Sequence, residues 1–251
     1  MRKQLFIPLN VKANETKRKK NVINDPKAVE IIDSIDLDLS KFDGGNITNV
    51  GIIARTEVMD QVAKKYIQKN PNGLIINIGA GLDTRITRVD NGKIRWIDID
   101  MPNVIETRKL FFEENDRIKF VGSDAFDENW LDEVPYEEGE PVLIFAEGIL
   151  MYFTEAQLKK FFGFLTKKFK NAEMCFDVVH SYFVGKGVSA PFVWGIEKAK
   201  DIEAVDSNIE LVQSWSTGDL HKERQNLYFR IMNVVSSIRN RSQILHIRFR
   251  G

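Results

Sequence analysis

Short apolar runs alternate with amphipathic segments from residue 74 onward. Runs with the length of buried strands occur five times, as LIINI (74–78), IRWIDI (94–99), IKFVG (118–122), VLIFAE (142–147) and EMCFDVV (173–179). Helical patterns lie between several of them, at 103–114 and at 154–169, and Thr154 with Gln157 fits a capping box at the start of the second. Strands that alternate with helices predict βαβ units and a parallel sheet.

The chain before residue 70 has a helical pattern. Asp25 followed by Pro26 is a favourable N-cap and first-turn pair for a helix over 24–35. Over 51–69, apolar residues recur at helical spacing, and Arg55 lies on the same stripe. A cation on an apolar stripe needs an anionic partner or a route to water, since burying an unpaired charge is costly.

The end of the chain supplies two further apolar runs, 209–216 and 243–250, which predict a closing pair of strands at one edge of the sheet. Together these patterns predict an α/β fold with a doubly wound, Rossmann-like sheet. We expect one domain over 1–251, with a helical N-terminal cap over about 1–70, a core over about 71–251 and a lid segment near 181–205.

Composition narrows the function classes. The chain has 251 residues, 43% of them hydrophobic, with 36 basic and 36 acidic residues. Zero net charge argues against a nucleic-acid partner, and the basic run KRKK (17–20) is interpreted as a solvated helix face. No apolar stretch reaches the roughly 18 residues of a membrane span and no apolar signal core is present, so we expect no membrane partner and a cytoplasmic location. Cys175 is interpreted as an inert buried thiol, and no Cys/His spacing predicts a metal.

Candidate chemistry lies just past the predicted strands. In open parallel sheets, ligands bind at the carboxyl ends of the strands. The residues at these ends are Gly79, Ala80 and Gly81 after the first strand, Asp98 and Asp100 after the second, Ser123, Asp124 and Ala125 after the third, and Glu147 after the fourth. Glycines let a ligand approach the backbone closely, and an acidic residue about 20 positions later is suited to ribose hydroxyls.

Each of these features also has a structural explanation. A lone GxG is often only a turn, Asp98 or Asp100 fits a solvated strand end, and Asp124 fits a helix N-cap. Glu147 is harder to explain in this way, because an unpaired buried carboxylate costs several kcal/mol or shifts its pKa. The inference therefore depends on the four strand ends taken together.

The turn after the first strand favours one class of cofactor. A dinucleotide site has a third glycine where this chain has Thr84, and Asp83 adds a negative charge where a diphosphate would lie. S-adenosylmethionine fits better, because its sulfonium and amino groups are cationic and its carboxylate needs a cation such as Arg55 or Arg85. The pattern therefore predicts S-adenosylmethionine, and an NAD(P)-dependent oxidoreductase is the disfavoured alternative.

Three blocks resemble the leucine carboxyl methyltransferase family, which includes bacterial polyketide-biosynthesis O-methyltransferases of the tetracenomycin type. The blocks are NIGAGLDTR (77–85), WIDIDMPNVIETRK (96–109) and AEGILMYF (146–153), and IARTEVMD and NDPKAVEII resemble upstream segments of the family. The resemblance covers roughly residues 10–250. It implies a class I methyltransferase fold, with seven mostly parallel strands, the last one antiparallel, and an added helical lid.

The resemblance also implies roles for the candidate residues. Arg55 would bind the methionine carboxylate. The turn after the first strand would line the cofactor, and its predicted cofactor-binding residues are Gly79, Ala80, Gly81, Asp83 and Arg85. Asp100, rather than Asp98, would bind the ribose hydroxyls. The remaining implied contacts are Asp124 with Ala125 beside the adenine, and Glu147 at the amino end. The adenine segment GSDAFDENW (122–130) departs from the D-L-R-D that the family often has.

The acceptor side is expected after the fourth and fifth strands. Tyr152, His180 and Tyr182 are the candidate catalytic residues there, followed by Trp194, and core packing explains each aromatic equally well. His180 is either a base or a histidine that caps the strand. We expect methyl transfer to a carboxylate or phenolic oxygen of a small, polyketide-like molecule by a monomer or homodimer. The alternatives are a protein C-terminal carboxyl methyltransferase, whose known examples are longer, and a scaffold that binds the cofactor without turnover.

Overall fold

The seven strands form one sheet in the computed structural model, which describes residues 3–36, 44–186 and 190–251. The strands are β1 (Leu74–Ile78), β2 (Arg95–Asp100), β3 (Ile118–Gly122), β4 (Val142–Ala146), β5 (Glu173–Val179), β6 (Ile209–Ser216) and β7 (Ser242–Phe249). Their order is β3-β2-β1-β4-β5-β7-β6, and β7 runs antiparallel to both of its neighbours. The predicted seven-stranded, mostly parallel α/β sheet is confirmed, with its closing pair at one edge.

Eight α-helices occur within the described residues. They are α1 (Lys3–Thr16), α2 (Pro26–Ser34), α3 (Gly45–Lys69), α4 (Arg85–Val89), α5 (Pro102–Arg108), α6 (Glu155–Lys168), α7 (Leu227–Met232) and α8 (Ser236–Arg239). The capping box predicted at Thr154 and Gln157 begins α6, and Asp25 caps α2 by accepting from the backbone N–H of Ala28. Local sequence signals therefore place both of these helix starts.

Helices cover both faces of the sheet. On one face, α6 contributes Phe161, Phe162 and Leu165 to the largest apolar cluster of the protein. On the other face, α3 packs Met59 and Val62 against strand residues of β1, β2 and β4. The strands β1 and β4 are buried along their whole length, which explains why both are continuous apolar runs.

The N-terminal helices pack beside the loop that follows β1. Phe6 and Leu9 of α1 share an apolar cluster with Ile31 of α2, Leu82 of the loop and Ile105 of α5. This cluster holds α1 and α2 over the carboxyl edge of the sheet. It therefore places polar residues of α1 within reach of the candidate site.

Two sequence expectations change in the structure, and a third, the lid segment, stays a prediction. The run KRKK (17–20) is exposed as expected but lies in turns after α1 instead of on a helix. The helix expected over 103–114 ends at Arg108, because the chain turns there to cover Phe112. The expected lid segment near 181–205 contains the short 3₁₀ helices Ser181–Phe183 and Ala199–Ala204, and its residues 187–189 lie outside the described part of the chain.

A buried ion pair supports the loop after β1. Asp98 of β2 is completely buried and binds Arg108 through both Nε (3.0 Å) and Nη2 (2.8 Å). Asp98 also accepts from Asn77 and from the indole N–H of Trp96. Arg108 in turn donates to the carbonyl oxygens of Gly81 (3.1 Å) and Asp83 (2.9 Å). The pair therefore fixes the backbone of the loop.

Replacing Asp98 with alanine is expected to lower the free energy of unfolding by about 3–5 kcal/mol, because it leaves the buried guanidinium of Arg108 without a counter-charge. Urea denaturation measures the change. Asp90→Ala is the matched control, since Asp90 pairs with Arg117 at the surface and such pairs contribute about 0–1 kcal/mol. Equal losses in the two variants would contradict a supporting role for Asp98.

Candidate active site

The chain turns sharply after β1. Gly79 (φ +68°) and Gly81 (φ +49°) both lie in the left-handed region, which favours glycine. The backbone N–H groups of Gly79 and Ala80 donate to the carbonyl oxygen of Ile99, which ties the turn to β2. A Cβ atom on Gly79 would lie 2.7 Å from the side chain of Ile149. Only glycine fits that position.

Asp100 ends β2 directly beside this turn. Its Oδ2 accepts from the N–H of Gly81 at 2.8 Å, and its Oδ1 accepts from the N–H of Met101 at 2.7 Å. The two bonds fix the carboxylate at the glycine turn. Asp98, the other candidate after β2, is fully buried in its ion pair with Arg108. Asp98 is therefore buried within the protein, whereas Asp100 lies at the carboxyl edge of the sheet.

Arg55 of α3 binds two carboxylates from two strands. Its Nε donates to Glu147 (2.8 Å), which follows β4, and its Nη1 donates to Asp177 (2.7 Å) of β5. Asp177 also accepts from the N–H of Gly148 at 2.6 Å. These partners explain a cation on the apolar stripe of α3. Among the residues that the structure describes, Nη2 of Arg55 has no hydrogen-bond partner.

Arg85 lies beneath this group and is completely buried. It donates to Asp60 (3.1 Å), to Asp83 (2.7 Å) and, through a very short contact, to Glu147, and it stacks on the ring of Phe145. The expectation that Arg85 contacts a cofactor directly is therefore corrected. Its donors are directed at protein carboxylates, so it fixes the side chains that line the site.

Asp83 also has a different environment from the one expected. Its carboxylate binds Lys12 of α1 (3.3 Å) as well as Arg85, and little of it is exposed. Leu5 of α1 approaches Gly81 closely enough that a Cβ there would lie 3.1 Å from it. The first helix is therefore anchored over the glycine turn. Nothing in the spacing of the sequence indicated this role for Lys12.

Thr84 lies at the position of the third glycine of a dinucleotide site, and its side chain has a structural role there. Its hydroxyl donates to Asp25, the residue that caps α2, and Arg88 binds Asp25 (2.6 Å) and Asp60 (2.6 Å). The loop after β1 is thereby tied to α2 and α3 at once. A glycine at position 84 would lose this link.

The surrounding cations keep two site carboxylates ionised. Burial alone raises the pKa of Glu147, but Arg55 and Arg85 outweigh that effect and hold its pKa below the ordinary value. Burial also raises the pKa of Asp83, but Arg85 and Lys12 outweigh that effect and hold its pKa well below the usual range. The site therefore presents fixed negative charges at neutral pH.

The segment after β3 is more open. Asp124 is exposed, and its Oδ1 accepts from the N–H of Phe126 at 2.9 Å, which closes a local turn. The alternative role as a helix cap belongs instead to Asp127, which accepts from Asn129. Ala125 is half-buried against the main apolar cluster. Asp124 follows β3, whose last residue, Gly122, pairs with Asp100, so Asp124 lies at the carboxyl edge of the sheet.

The acceptor-side candidates separate into buried and exposed residues. His180 is buried, and its Nδ1 accepts from the N–H of Tyr182 at 3.1 Å, so it caps the 3₁₀ turn that follows β5. Burial raises the pKa of Tyr152, which packs against Phe192. Tyr182 is exposed beneath Lys186, whereas Trp194 is buried in the main cluster.

The sequence patterns did not identify several charged residues of the ion-pair network around Arg55 and Arg85. Asp177 lies inside an apolar run, as Glu147 does, and that shared anomaly was the available signal. Asp60 follows Met59 on α3 and resembles an ordinary solvated helix residue in sequence. Lys12 belongs to a helix with no strong apolar stripe, so no pattern marked it.

The strand order and the site at the carboxyl edge define the class I methyltransferase fold. A methyltransferase structure from Thermobifida fusca is 14% identical, with a TM-score of 0.61 over 97% of this chain and 94% of that one. The N-methyltransferase NodS from Bradyrhizobium japonicum, solved with S-adenosylhomocysteine, is 12% identical, with a TM-score of 0.50 over 78% of this chain and 88% of its own. These similarities confirm the fold.

The leucine carboxyl methyltransferase family model matches residues 6–166, so the chain belongs to the leucine carboxyl methyltransferase family and is a methyltransferase. The resemblance read from the three sequence blocks is confirmed. A relative from Streptomyces glaucescens, the tetracenomycin polyketide synthesis O-methyltransferase TcmP, is 26% identical over 224 residues, which cover 86% of this chain and 82% of that protein.

No helix within residues 3–36, 44–186 and 190–251 combines the length and hydropathy of a membrane span. Within the same ranges, no group of three or more His, Cys, Asp and Glu side chains is arranged to hold a metal ion. Cys175 is buried, as expected, and burial raises the pKa of its thiol.

Glu147→Gln is expected to destabilise the protein at pH 7 by about 1.5–3 kcal/mol, because Arg55 and Arg85 each lose one of their counter-charges while Asp177, Asp60 and Asp83 remain. The folded-state pKa of Glu147 lies below its unfolded value of roughly 4.3. Its contribution is therefore present above that unfolded value and is lost as the pH falls through the folded one. The difference in the free energy of unfolding between the two proteins should shrink below about pH 4.

Urea denaturation between pH 7 and pH 3 measures this difference. Glu155→Gln is the control, since Glu155 forms an exposed pair with Lys159 on α6. A gap between wild type and Glu147→Gln that does not change with pH would contradict the ion-pair account.

Proposed function

We propose that the protein is an S-adenosylmethionine-dependent O-methyltransferase that acts on a small molecule with a carboxylate or phenolic oxygen. The observation that carries this proposal is the group formed by Arg55, Glu147 and Asp177 beside the glycine turn. The group presents both signs of charge at one place, which suits an amino-acid zwitterion. The relative TcmP, an O-methyltransferase, supports the choice of oxygen as the acceptor atom.

The residues present fit the cofactor. Arg55 would bind its carboxylate through Nη2, and Glu147 would accept from its amino group, since the carboxylate stays ionised. Asp100 would accept from the ribose hydroxyls, because its carboxylate is fixed at the glycine turn. Asp124 and Ala125 would flank the adenine. The glycine turn leaves room for the backbone to approach the cofactor.

When bound, S-adenosylmethionine supplies a methyl group on a positively charged sulfur. The chain's own contribution is to align the acceptor oxygen and to exclude water, effects that account for roughly 7–11 kcal/mol of barrier in favourable cases. Tyr152 stays protonated, because burial raises the pKa of its hydroxyl. It would therefore act toward the acceptor as a hydrogen-bond donor and not as a base.

The hydrogen bond that His180 Nδ1 accepts from Tyr182 affects whether His180 can act as a base toward the acceptor. Since Nδ1 accepts a hydrogen bond from the backbone, a neutral ring carries its proton on Nε2. That nitrogen then donates and does not act as a base. The arrangement supports an acceptor that is already ionised at neutral pH, as a carboxylate is, over a phenol with a pKa near 10.

Transfer of a labelled methyl group from S-adenosylmethionine to a panel of aromatic acids, phenols and peptides with a free C-terminal carboxylate tests the function. We expect methyl esters or ethers to form, and rates on carboxylates to change little between pH 6.5 and pH 8.5, where carboxylates remain ionised. Cofactor binding without transfer to any acceptor would favour a non-catalytic scaffold. Transfer only to peptides would favour a protein carboxyl methyltransferase.

Asp100→Ala is expected to weaken the binding of S-adenosylmethionine about 10- to 100-fold, because hydrogen bonds to a charged acceptor contribute about 1.5–3 kcal/mol. Equilibrium dialysis with labelled cofactor measures the affinity. The control is Asp90→Ala, which removes a surface carboxylate at the end of α4. Unchanged affinity in a folded Asp100→Ala protein would refute the ribose assignment.

A further inference from the structure

Arg241 lies at the same edge of the sheet as the candidate site. Because β7 is antiparallel, its first residue, Ser242, pairs with Val179 at the carboxyl end of β5. The backbone N–H of His180 donates to the carbonyl oxygen of Arg241 at 3.1 Å. Arg241 is therefore adjacent to the acceptor-side segment, one strand further along the sheet from Asp177.

The guanidinium of Arg241 lacks a counter-charge. Within the described ranges, no carboxylate lies within 4.0 Å of it. By contrast, Arg55, Arg85, Arg88 and Arg108 each bind at least one carboxylate. Burial without such a partner lowers the pKa of Arg241, and the nearest compensating group is the ring of Phe229, whose centroid lies 5.9 Å from the guanidinium carbon. A half-buried cation in this state is costly unless something supplies the charge.

The unpaired donors are on one edge of the guanidinium. Nη1 donates to Asn233 Oδ1 (3.1 Å) and to the carbonyl oxygen of Ile238 (3.0 Å), both neutral groups. Nη2 is buried and unpartnered, and Nε also has no hydrogen-bond partner in the described part of the chain. Nε and Nη2 together form the side-on fork that binds a carboxylate through two parallel hydrogen bonds.

Hydrogen bonds hold the residue that binds Nη1 of Arg241. Asn233 also donates to Gln225 (2.7 Å) and to the carbonyl oxygen of Gly218 (2.9 Å), so the group that fixes Nη1 is itself fixed. Gln243, two residues after Arg241, has a buried amide nitrogen without a partner. Two side chains of this stretch, Arg241 and Gln243, therefore have N–H donors without a hydrogen-bond partner.

We propose that Arg241 binds a carboxylate of the methyl acceptor through Nε and Nη2, so that the acceptor is a carboxylate-bearing small molecule. This inference rests on the proposed methyltransferase function. One guanidinium balances one negative charge, which favours a monoanionic carboxylate over a phosphate dianion. Arg241 is then a residue that determines acceptor specificity.

Benzoate and its neutral isostere benzamide are the probes, at constant ionic strength and with S-adenosylhomocysteine present. Thermal unfolding measures binding, since a ligand that binds the folded state raises Tm. We expect benzoate to raise the Tm of the wild-type protein and benzamide to leave it unchanged. Arg241→Gln should weaken the apparent affinity for benzoate at least 10-fold. Arg239→Gln, which removes an exposed cation from α8, is the matched control and should retain binding.

Three results would overturn the proposal: no preference for benzoate over benzamide in the wild type, equal benzoate binding by a folded Arg241→Gln protein, or a larger Tm shift with inorganic phosphate. If Arg241→Gln does not fold, Arg241→Lys replaces it, and undiminished benzoate affinity there would refute the bidentate contact. Calorimetry with S-adenosylhomocysteine on each variant separates the outcomes. Normal cofactor binding with no benzoate preference rejects the Arg241 site alone, whereas absent cofactor binding rejects the proposed function.

Discussion

The structure depends on the burial of one cation. Arg85 follows the glycine turn and is completely shielded from solvent, and its guanidinium binds carboxylates from the loop after β1, from α3 and from the residue after β4. Such a charge would be prohibitively costly if it were unpaired. The three carboxylates must therefore converge, and their convergence fixes the positions of three separate parts of the chain.

The site follows from this constraint. Asp60, which binds Arg85, also binds Arg88, and Arg88 reaches Asp25 at the start of α2. Glu147, the carboxylate shared by Arg85 and Arg55, brings α3 against the end of β4. The ion pairs thus link the N-terminal helices to the carboxyl edge of the sheet. Under the proposed function, Glu147 would serve both this network and the amino group of the cofactor.

Most of the fold could be predicted from the sequence, and much less of the charge network. Strands such as β1 and β4 are buried on both faces and therefore appear as uninterrupted apolar runs, and the cap of α6 depends on residues only three positions apart. Ion pairs such as Lys12 with Asp83 join residues that are 71 positions apart, and no local periodicity records them. Asp83 and Arg85 were assigned to the ligand by their place in the turn, whereas the structure directs them at each other and at α1 or α3. Glu147 could be recognised in the sequence because it is a carboxylate at the end of an apolar run. Asp177 has the same signal, but it was not among the predicted site residues.

The proposed function requires this edge of the sheet to bind a cationic adenosine cofactor and not a dinucleotide. Titration calorimetry of the wild-type protein with S-adenosylhomocysteine and, separately, with NADH tests it most directly. We expect one site for S-adenosylhomocysteine and no measurable heat of binding for NADH. No binding of S-adenosylhomocysteine by a folded sample, or tighter binding of NADH, would contradict it.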